Sequence, residues 1–528
     1  MKIIEALCVF VAVLALATSL DAQISGPVRT QAGMVQGTVD DGLAIYKGIP
    51  FAAPPLGDLR WRPPQPPAPW TGVRNADKFA LGCMQIPLVL PALGIESFPV
   101  SEDCLYLNVW TPAKSPKDHL AVMVWIYGGG FTTGGTSIPL YDGTNLARKG
   151  VVVVSVAYRV GPFGFFAHPE LTTEQGGHSG NYGLMDQIAG LAWVKNNIAA
   201  FGGDAHRVTI FGESAGGISV SMLAASPLAK GLFTGAISES GGNFAPARPG
   251  SEGGENMLSL PTAERNGAAF LSKIGAGSIA EARKMPTETI MKGVGPGLGG
   301  FWPDFDGRVL LGDQYKLYEE LRYNDTPVLV GTNSDEGALF IPTVTAIAYQ
   351  ASVRAGYGEY ADKILALYPG GSDAEALRSA RDLFRDTAFA WPTWTWARLQ
   401  AKTGKKGKVF VYYFSHRPPY PDQPTFKSWG ASHGGEIQYV FENFAKTMPA
   451  SNDDKAVADQ LSSYWANFAK TGDPNGAGLP SWPAFTDASQ QVMNLNDPSK
   501  AIPVPNLDKL KVLDGYYAWR RSQQEGTN

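Results

Sequence analysis

Cysteine and histidine are scarce in this chain, three and six among 528 residues, and none fall at paired metal-ligand spacing, which argues against a structural zinc site. Charge is sparse as well. Lys and Arg total 44 against 48 Asp and Glu, a formal net charge of −4 with no dense basic block. The electrostatic footprint demanded by a phosphate backbone is missing, so no nucleic-acid partner is expected. No internal repeat or low-complexity tract is present. Long apolar runs are also lacking, except for Ala6 to Ala17. That run is shorter than the roughly 20 residues of a transmembrane helix, and Thr18, Ser19 and Asp21 close it, so no stable membrane span is expected. With Met1-Lys2 before it and Ala22 after it, the run has the layout of a secretory signal peptide cleaved after Ser19 or Ala22, an uncleaved anchor being the alternative. The expected organisation is a leader over 1–22, a mature chain over 23–528 and a secreted or periplasmic location.

Losing the leader removes Cys8 and leaves Cys83 and Cys104, an even number in a chain bound for an oxidising compartment. They are read as a disulfide, with two buried thiols as the alternative; closing such a loop would stabilise by roughly 3 kcal/mol on the chain-entropy model. The remaining composition, 44% hydrophobic with 61 Gly and 39 Pro, is that of a globular protein. The run from Arg60 to Trp70 holds too many prolines for helix or central strand and predicts an extended segment whose aromatic rings pack on the body.

Beyond it an α/β rhythm begins. Val122 to Tyr127 and Val151 to Tyr158 are apolar runs suited to strands covered on both faces. Leu184 to Ala200 reads as a helix, Val208 to Phe211 as a strand and Ala215 to Ala225 as a helix. Further strands are predicted at 235–238, 327–330 and 409–414. Such alternation predicts an open, mainly parallel sheet flanked by helices in one domain. The Gly- and Pro-rich stretch 243–300, with short helical pieces, and the largely helical stretch 346–401 are expected to be insertions covering the ligand-binding edge.

Gly212-Glu213-Ser214-Ala215-Gly216 matches the G-x-S-x-G pattern, in which small neighbours let a serine stand exposed on a strained strand-to-helix turn. The pattern alone is weak; the predicted strand before it and helix after it give it weight. A serine hydroxyl needs a base, and the base needs an acid to hold its tautomer. His433, in the small-residue loop Ser432-His433-Gly434-Gly435-Glu436, is the candidate base, and the other five histidines read as surface or loop residues. For the acid, Asn333-Ser334-Asp335-Glu336-Gly337 follows a strand, and spacing does not choose between Asp335 and Glu336. Gly128-Gly129-Gly130, after the strand ending at Tyr127, supplies a loop whose backbone can approach a developing oxyanion.

These motifs, together with Glu102-Asp103-Cys104-Leu105-Tyr106-Leu107-Asn108-Val109, Phe51 to Gly57 with Arg60-Trp61 and Trp70, and Phe211 to Gly217, resemble the type-B carboxylesterases, the cholinesterase-like branch of the α/β-hydrolases. The resemblance covers nearly all of the mature chain. It implies the α/β-hydrolase fold, Ser214 as nucleophile, Glu336 as acid and His433 as base, with oxyanion donors at Gly129, Gly130 and Ala215. It also implies a Cys83–Cys104 disulfide, supporting roles for Glu213 and Ser240 behind the reacting groups, and an acyl-side wall at Phe301-Trp302, where ordinary core is the alternative. The further disulfides of animal cholinesterases and a convincing counterpart of their choline-binding tryptophan are missing, which places choline esters in doubt.

The expected activity is hydrolysis of small carboxylic esters through an acyl-enzyme, with no metal or organic cofactor. An amide or carbamate hydrolase of the same fold is one alternative. A non-catalytic adhesion protein is another, and the retention of Ser214, Glu336 and His433 argues against it.

Overall fold

The computed structural model describes residues 24, 26–87, 89–247, 257–295 and 300–525; the leader expected over 1–22 lies outside them. Eleven strands form one sheet. In chain order they are β1 (Thr38–Asp40), β2 (Leu43–Pro50), β3 (Tyr106–Thr111), β4 (Leu120–Ile126), β5 (Val152–Val156), β6 (Gly203–Glu213), β7 (Gly235–Glu239), β8 (Val328–Asn333), β9 (Val409–Phe414), β10 (Gln491–Leu495) and β11 (Lys500–Pro503). Their order in space is β1-β2-β3-β5-β4-β6-β7-β8-β9-β10-β11. From β5 across to β10 every neighbouring pair is parallel. The pairs at both ends are antiparallel. This is the mainly parallel α/β-hydrolase sheet predicted from the alternation of apolar runs and helical patterns.

The central strands are Val- and Ile-rich because both of their faces are covered; β5 is buried at every position. The main covering helices are α1 (Tyr182–Asn197), α2 (Ala215–Ala225), α3 (Asp373–Arg385), α4 (Trp391–Thr403) and α5 (Asn452–Thr471). All eleven residues of α2 are buried, which its run of Ala, Gly and Ser permits by letting it lie close to the sheet. Helix α1 begins two residues earlier than the sequence predicts and its last turn tightens into a 3₁₀ segment, Ile198–Phe201. The stretch 243–300 also departs from expectation, since it contains a fourteen-residue helix, Leu260–Lys273, whose buried Gly267, Phe270 and Leu271 share one face.

The proline-rich segment packs on the body. Trp61 is fully buried with its Nε1 donating to the Pro162 carbonyl at 2.8 Å, and Trp70 Nε1 donates to the Met34 carbonyl at 2.9 Å. Arg60, also buried, makes a two-pronged ion pair with Glu102. Cys83 and Cys104 are joined by a disulfide. No helix among the described residues is long and apolar enough to cross a membrane.

Strand order positions the chemistry. The chain leaves β4, runs outward to β5, then crosses back to β6 on the other side of β4, and clefts form at such a switch point beyond the carboxyl ends of the strands. β4 and β6 pair with Ile126 opposite Gly212. Both chains therefore emerge side by side, one entering Gly128 and the other Ser214.

Candidate active site

The turn at the end of β6 shows why the residues around Ser214 must be small. A Cβ on Gly212 or Gly216 would collide with the Ile126 carbonyl, so the β6–α2 junction presses against the end of β4. Ser214 takes φ 56° and ψ −123°, a conformation costly for a residue with a side chain, and its N–H is anchored to the Glu239 carbonyl at 2.9 Å. Strain held in this way presents the side chain to a cavity of about 290 Å³.

The same cavity is lined by Gly128, Gly129, Gly130, Ala215 and His433. Gly129 and Gly130 have φ 109° and 61°, values that favour glycine. Among the described residues no acceptor pairs with their N–H groups. Ala215 is the first residue of α2, where an N–H has no acceptor within the helix. Three candidate donors thus border the cavity that Ser214 enters.

His433 arrives on the loop after β9, and Glu336 on the loop after β8. Their contact is short, with Nδ1 at 2.6 Å from Glu336 Oε2, and both side chains are buried. This separates the two acids that spacing left open. Asp335 instead accepts from the Ser334 hydroxyl at 2.5 Å and from the Ala431 N–H at 3.0 Å, tying its loop to the one that carries His433 without touching the imidazole. The other Glu336 oxygen accepts from Ser240 Oγ at 2.6 Å and from the Asn333 N–H at 2.7 Å. Ser240 follows β7 at φ 49° and ties its own N–H to the Gly331 carbonyl. His433 Nε2 is left as the ring nitrogen without a hydrogen-bond partner.

Beneath the imidazole lies a group of buried carboxyls larger than the sequence indicates. Glu213 Oε1 stands 3.1 Å from His433 Nε2, and Glu239 and Glu436 are buried nearby. Burial pushes the Glu213 carboxyl upward first, and the neighbouring Glu436 and Glu336 add to the rise, whereas His433 opposes it. Burial likewise raises Glu239 and Glu436. On His433 burial acts downward, but Glu213 and Glu336 outweigh it and hold the imidazole above its ordinary range. The Glu213 and His433 shifts are linked, because a proton that neutralises Glu213 removes a charge that raises His433.

Glu436 accepts from the Asn333 side chain and from Tyr412 OH at 3.3 Å. Glu239 accepts from Trp465 Nε1 at 2.8 Å. Strand register explains the grouping, since Glu213 is opposite Glu239, Glu239 opposite Gly331 and Gly331 opposite Tyr412. The sequence reading included Glu213 and Ser240 but gave no part to Glu239, Asn333, Tyr412 or Glu436. The positions of Asn333, three residues before Glu336, and of Glu436, three residues after His433, offered a signal.

The cavity wall is mostly apolar, and no Lys or Arg lines it among the described residues. Phe389 stacks on His433 with ring centroids 4.5 Å apart and planes at 21°, and Phe340 lies 5.0 Å from the same ring. Phe389 sits in a π-helical turn, Asp386–Ala390, between α3 and α4. Pro392 explains that turn, because it has no N–H for the Ala388 carbonyl and its ring crowds that carbonyl.

Of the two residues expected to form the acyl-side wall, only Trp302 lines this cavity, packed edge-on against Phe131 at 5.0 Å. Phe301 points the other way, onto Phe270 at 4.9 Å, in a separate cavity against the Leu260–Lys273 helix. Trp302 also borders that second cavity and so stands in the wall between the two, whereas Phe301 lines the second alone. Among the described residues no cluster of His, Cys, Asp and Glu is arranged to hold a metal ion.

Residues 25–511 match the model of the carboxylesterase family. The chain belongs to that family. It is 39% identical to the fumonisin B1 esterase of Sphingopyxis macrogoltabida over 474 residues, 87% of this chain and 84% of that protein. It is 36% identical to the para-nitrobenzyl esterase of Bacillus subtilis (strain 168), covering 89% and 94% of the two chains. It shares 36% identity with the liver carboxylesterase of Sus scrofa, covering 84% and 83%. A solved structure of a PNB esterase superposes with a TM-score of 0.79 at 34% identity, covering 93% of this chain and all of the other. This carboxylesterase is accordingly a carboxylic-ester hydrolase built on the α/β-hydrolase fold.

Proposed function

We propose that the enzyme hydrolyses small uncharged esters through a covalent intermediate on Ser214, with His433 as general base and acid and Glu336 as its orienting partner. The observation that carries this reading is the 2.6 Å contact between Glu336 and His433 Nδ1, which leaves Nε2, 3.1 Å from Glu213 Oε1 but without a hydrogen bond, as the ring nitrogen available to Ser214 in the cavity that both residues line. Ser214 Oγ attacks the ester carbonyl carbon while Nε2 takes its proton. The carbonyl oxygen becomes an oxyanion received by the N–H groups of Gly129, Gly130 and Ala215. The imidazolium, stabilised by Glu336, then protonates the departing alcohol. Water repeats the sequence on the acyl-enzyme, its proton passing through His433 to Ser214 as the acid leaves. Ser240, Glu213 and Glu436 support this geometry from behind: Ser240 and Asn333 fix Glu336, and Asn333 also links Glu436 to the same loop.

A fluorophosphonate tests the reading directly. It should label the wild-type enzyme stoichiometrically on the peptide that contains Ser214 and abolish turnover in proportion; label on another residue, or activity surviving full labelling, would refute it. An ester and an amide with matched acyl and leaving groups, run in parallel, separate an esterase from an amidase.

The apolar wall supports neutral esters as the substrate class, and Trp302 is proposed to limit the length of the group it faces. Trp302→Ala should shift the chain-length optimum upward from acetyl–butyryl toward longer acyl esters, since a packed ring yields little without strain. A loss of thermal stability with an unchanged chain-length profile would identify Trp302 as core instead.

The leader and the disulfide belong to one proposal, that residues 1–22 direct a single-domain mature enzyme, 23–528, to a secreted or periplasmic compartment. Mass mapping of the non-reduced mature protein should find its N-terminus after Ser19 or Ala22 and one linked peptide pair through Cys83 and Cys104. Two free thiols would contradict the assigned compartment.

A further inference from the structure

The loop carrying Gly129 and Gly130 is gripped at both stems by groups to which the scheme above gives no part. On the entering side Tyr127 and Tyr158 exchange hydrogen bonds. Tyr127 OH donates to the Tyr158 carbonyl and Tyr158 OH to the Tyr127 carbonyl, each at 2.8 Å, with the rings stacked at 4.4 Å. On the leaving side the grip is a single buried amide, Gln85. Its Nε2 donates to the Gly134 carbonyl at 2.6 Å and the Cys83 carbonyl at 2.9 Å. Its Oε1 accepts from the Gly134 N–H at 2.7 Å and from Thr133 Oγ1 at 2.5 Å.

A carboxamide has two donor hydrogens and two acceptor lone pairs, so the hydrogen-bonding capacity of Gln85 is fully used. Because Gln85 holds both the N–H and the C=O of Gly134, it fixes that residue in rotation as well as position. The other end of the same bridge is anchored beside the disulfide, at Cys83. Phe98, from the loop that the disulfide closes, adds a second contact by lying against both Gly82 and Gly135.

The grip reaches the reacting centre in one step. Thr133, held by Gln85 through its hydroxyl, donates its own N–H to the Gly129 carbonyl at 3.1 Å, as does Thr132. That carbonyl and the N–H of Gly130 belong to one planar peptide group, so tilting the carbonyl tilts the N–H with it. We propose that Gln85 is a positioning residue for ester hydrolysis: by holding Thr133 and Gly134 it sets the tilt of the Gly129–Gly130 peptide whose N–H receives the oxyanion. The proposal rests on the serine mechanism above. A donor that is displaced but still present should cost roughly 10- to 100-fold in rate, less than or equal to its complete removal.

The test uses Gln85→Met, of similar length without polar ends, and Gln85→Glu, which keeps an acceptor for Gly134 N–H and the Thr133 hydroxyl. For each, kcat and KM on one ester are measured with the Ki of a trifluoromethyl ketone, which adds the serine to form an anionic hemiketal, and the Ki of the matching secondary alcohol, which forms no adduct. In Gln85→Met kcat should fall roughly 10- to 100-fold with KM within about threefold. The ketone Ki should rise by the same factor while the alcohol Ki stays put, and Gln85→Glu should fall between wild type and Gln85→Met.

Wild-type kcat and ketone Ki in folded Gln85→Met would overturn the proposal, as would equal losses of ketone and alcohol affinity, which mark a loosened cavity. If Gln85→Met does not fold, Gln85→Glu decides by the same criteria. Fluorophosphonate labelling of the wild type keeps the two readings apart: failure to label Ser214 counts against the serine mechanism, whereas normal labelling with an indifferent Gln85 counts against the positioning role alone.

Discussion

Replacing Ser214 with Ala is expected to lower kcat by roughly 10⁶-fold, the order seen when a triad serine is lost, while the circular dichroism and melting temperature stay close to wild type. The alanine loses one oxygen, and every backbone contact of the turn survives, including the Ser214 N–H to the Glu239 carbonyl. Residual hydrolysis should exceed the uncatalysed rate, because the N–H groups at Gly129, Gly130 and Ala215 remain to polarise a bound carbonyl for attack by water. Near-wild-type turnover in a purified variant checked by mass would end the proposed mechanism. The accompanying change in fluorophosphonate labelling should be complete, since no other group in the scheme can become acylated.

Glu336→Gln is expected to cost about 10⁴ in kcat, because an amide can present its N–H to Nδ1 and so stabilise the wrong tautomer. The carboxamide also meets Ser240 Oγ and the Asn333 N–H, both placed to donate, so one of its two ends is always mismatched. Asp335→Asn serves as the control. Its carboxylate holds Ala431 N–H and the Ser334 hydroxyl, contacts that an amide oxygen can largely retain, and the loss should be less than about tenfold. Kinetics of the two variants at saturating ester decide between them, and the reverse ranking would return the acid to Asp335.

The parallel centre of the sheet was legible in the sequence because it consists of unbroken apolar runs, as at Val152–Val156, and because the Ser214 motif sits between a strand and a helix. The antiparallel flanks were missed. Strands β1, β10 and β11 are short or half-exposed and have no apolar run to mark them, and β2 is interrupted at Lys47-Gly48, where its register with β3 shifts. At the site, the expected residues were those with local signatures. Glu239, Tyr412 and Gln85 have none, since their roles arise from strand register and from a bridge between segments nearly fifty residues apart. Phe301 and Trp302 could not be told apart by composition; the direction of each side chain is a property of the backbone path.

An ester enters the cavity neutral, and hydrolysis releases its acyl half as an acid that becomes a carboxylate once it gives its proton to water, beside a wall that has no lysine or arginine among the described residues. The anion formed when that proton is lost finds neither of these cationic side chains in the wall to pair with. The product is therefore less welcome than the substrate in the same space, and it gains full hydration on leaving. Departure of the acid is thus favoured by its own ionisation, which creates the charge that clears the cavity for the next ester.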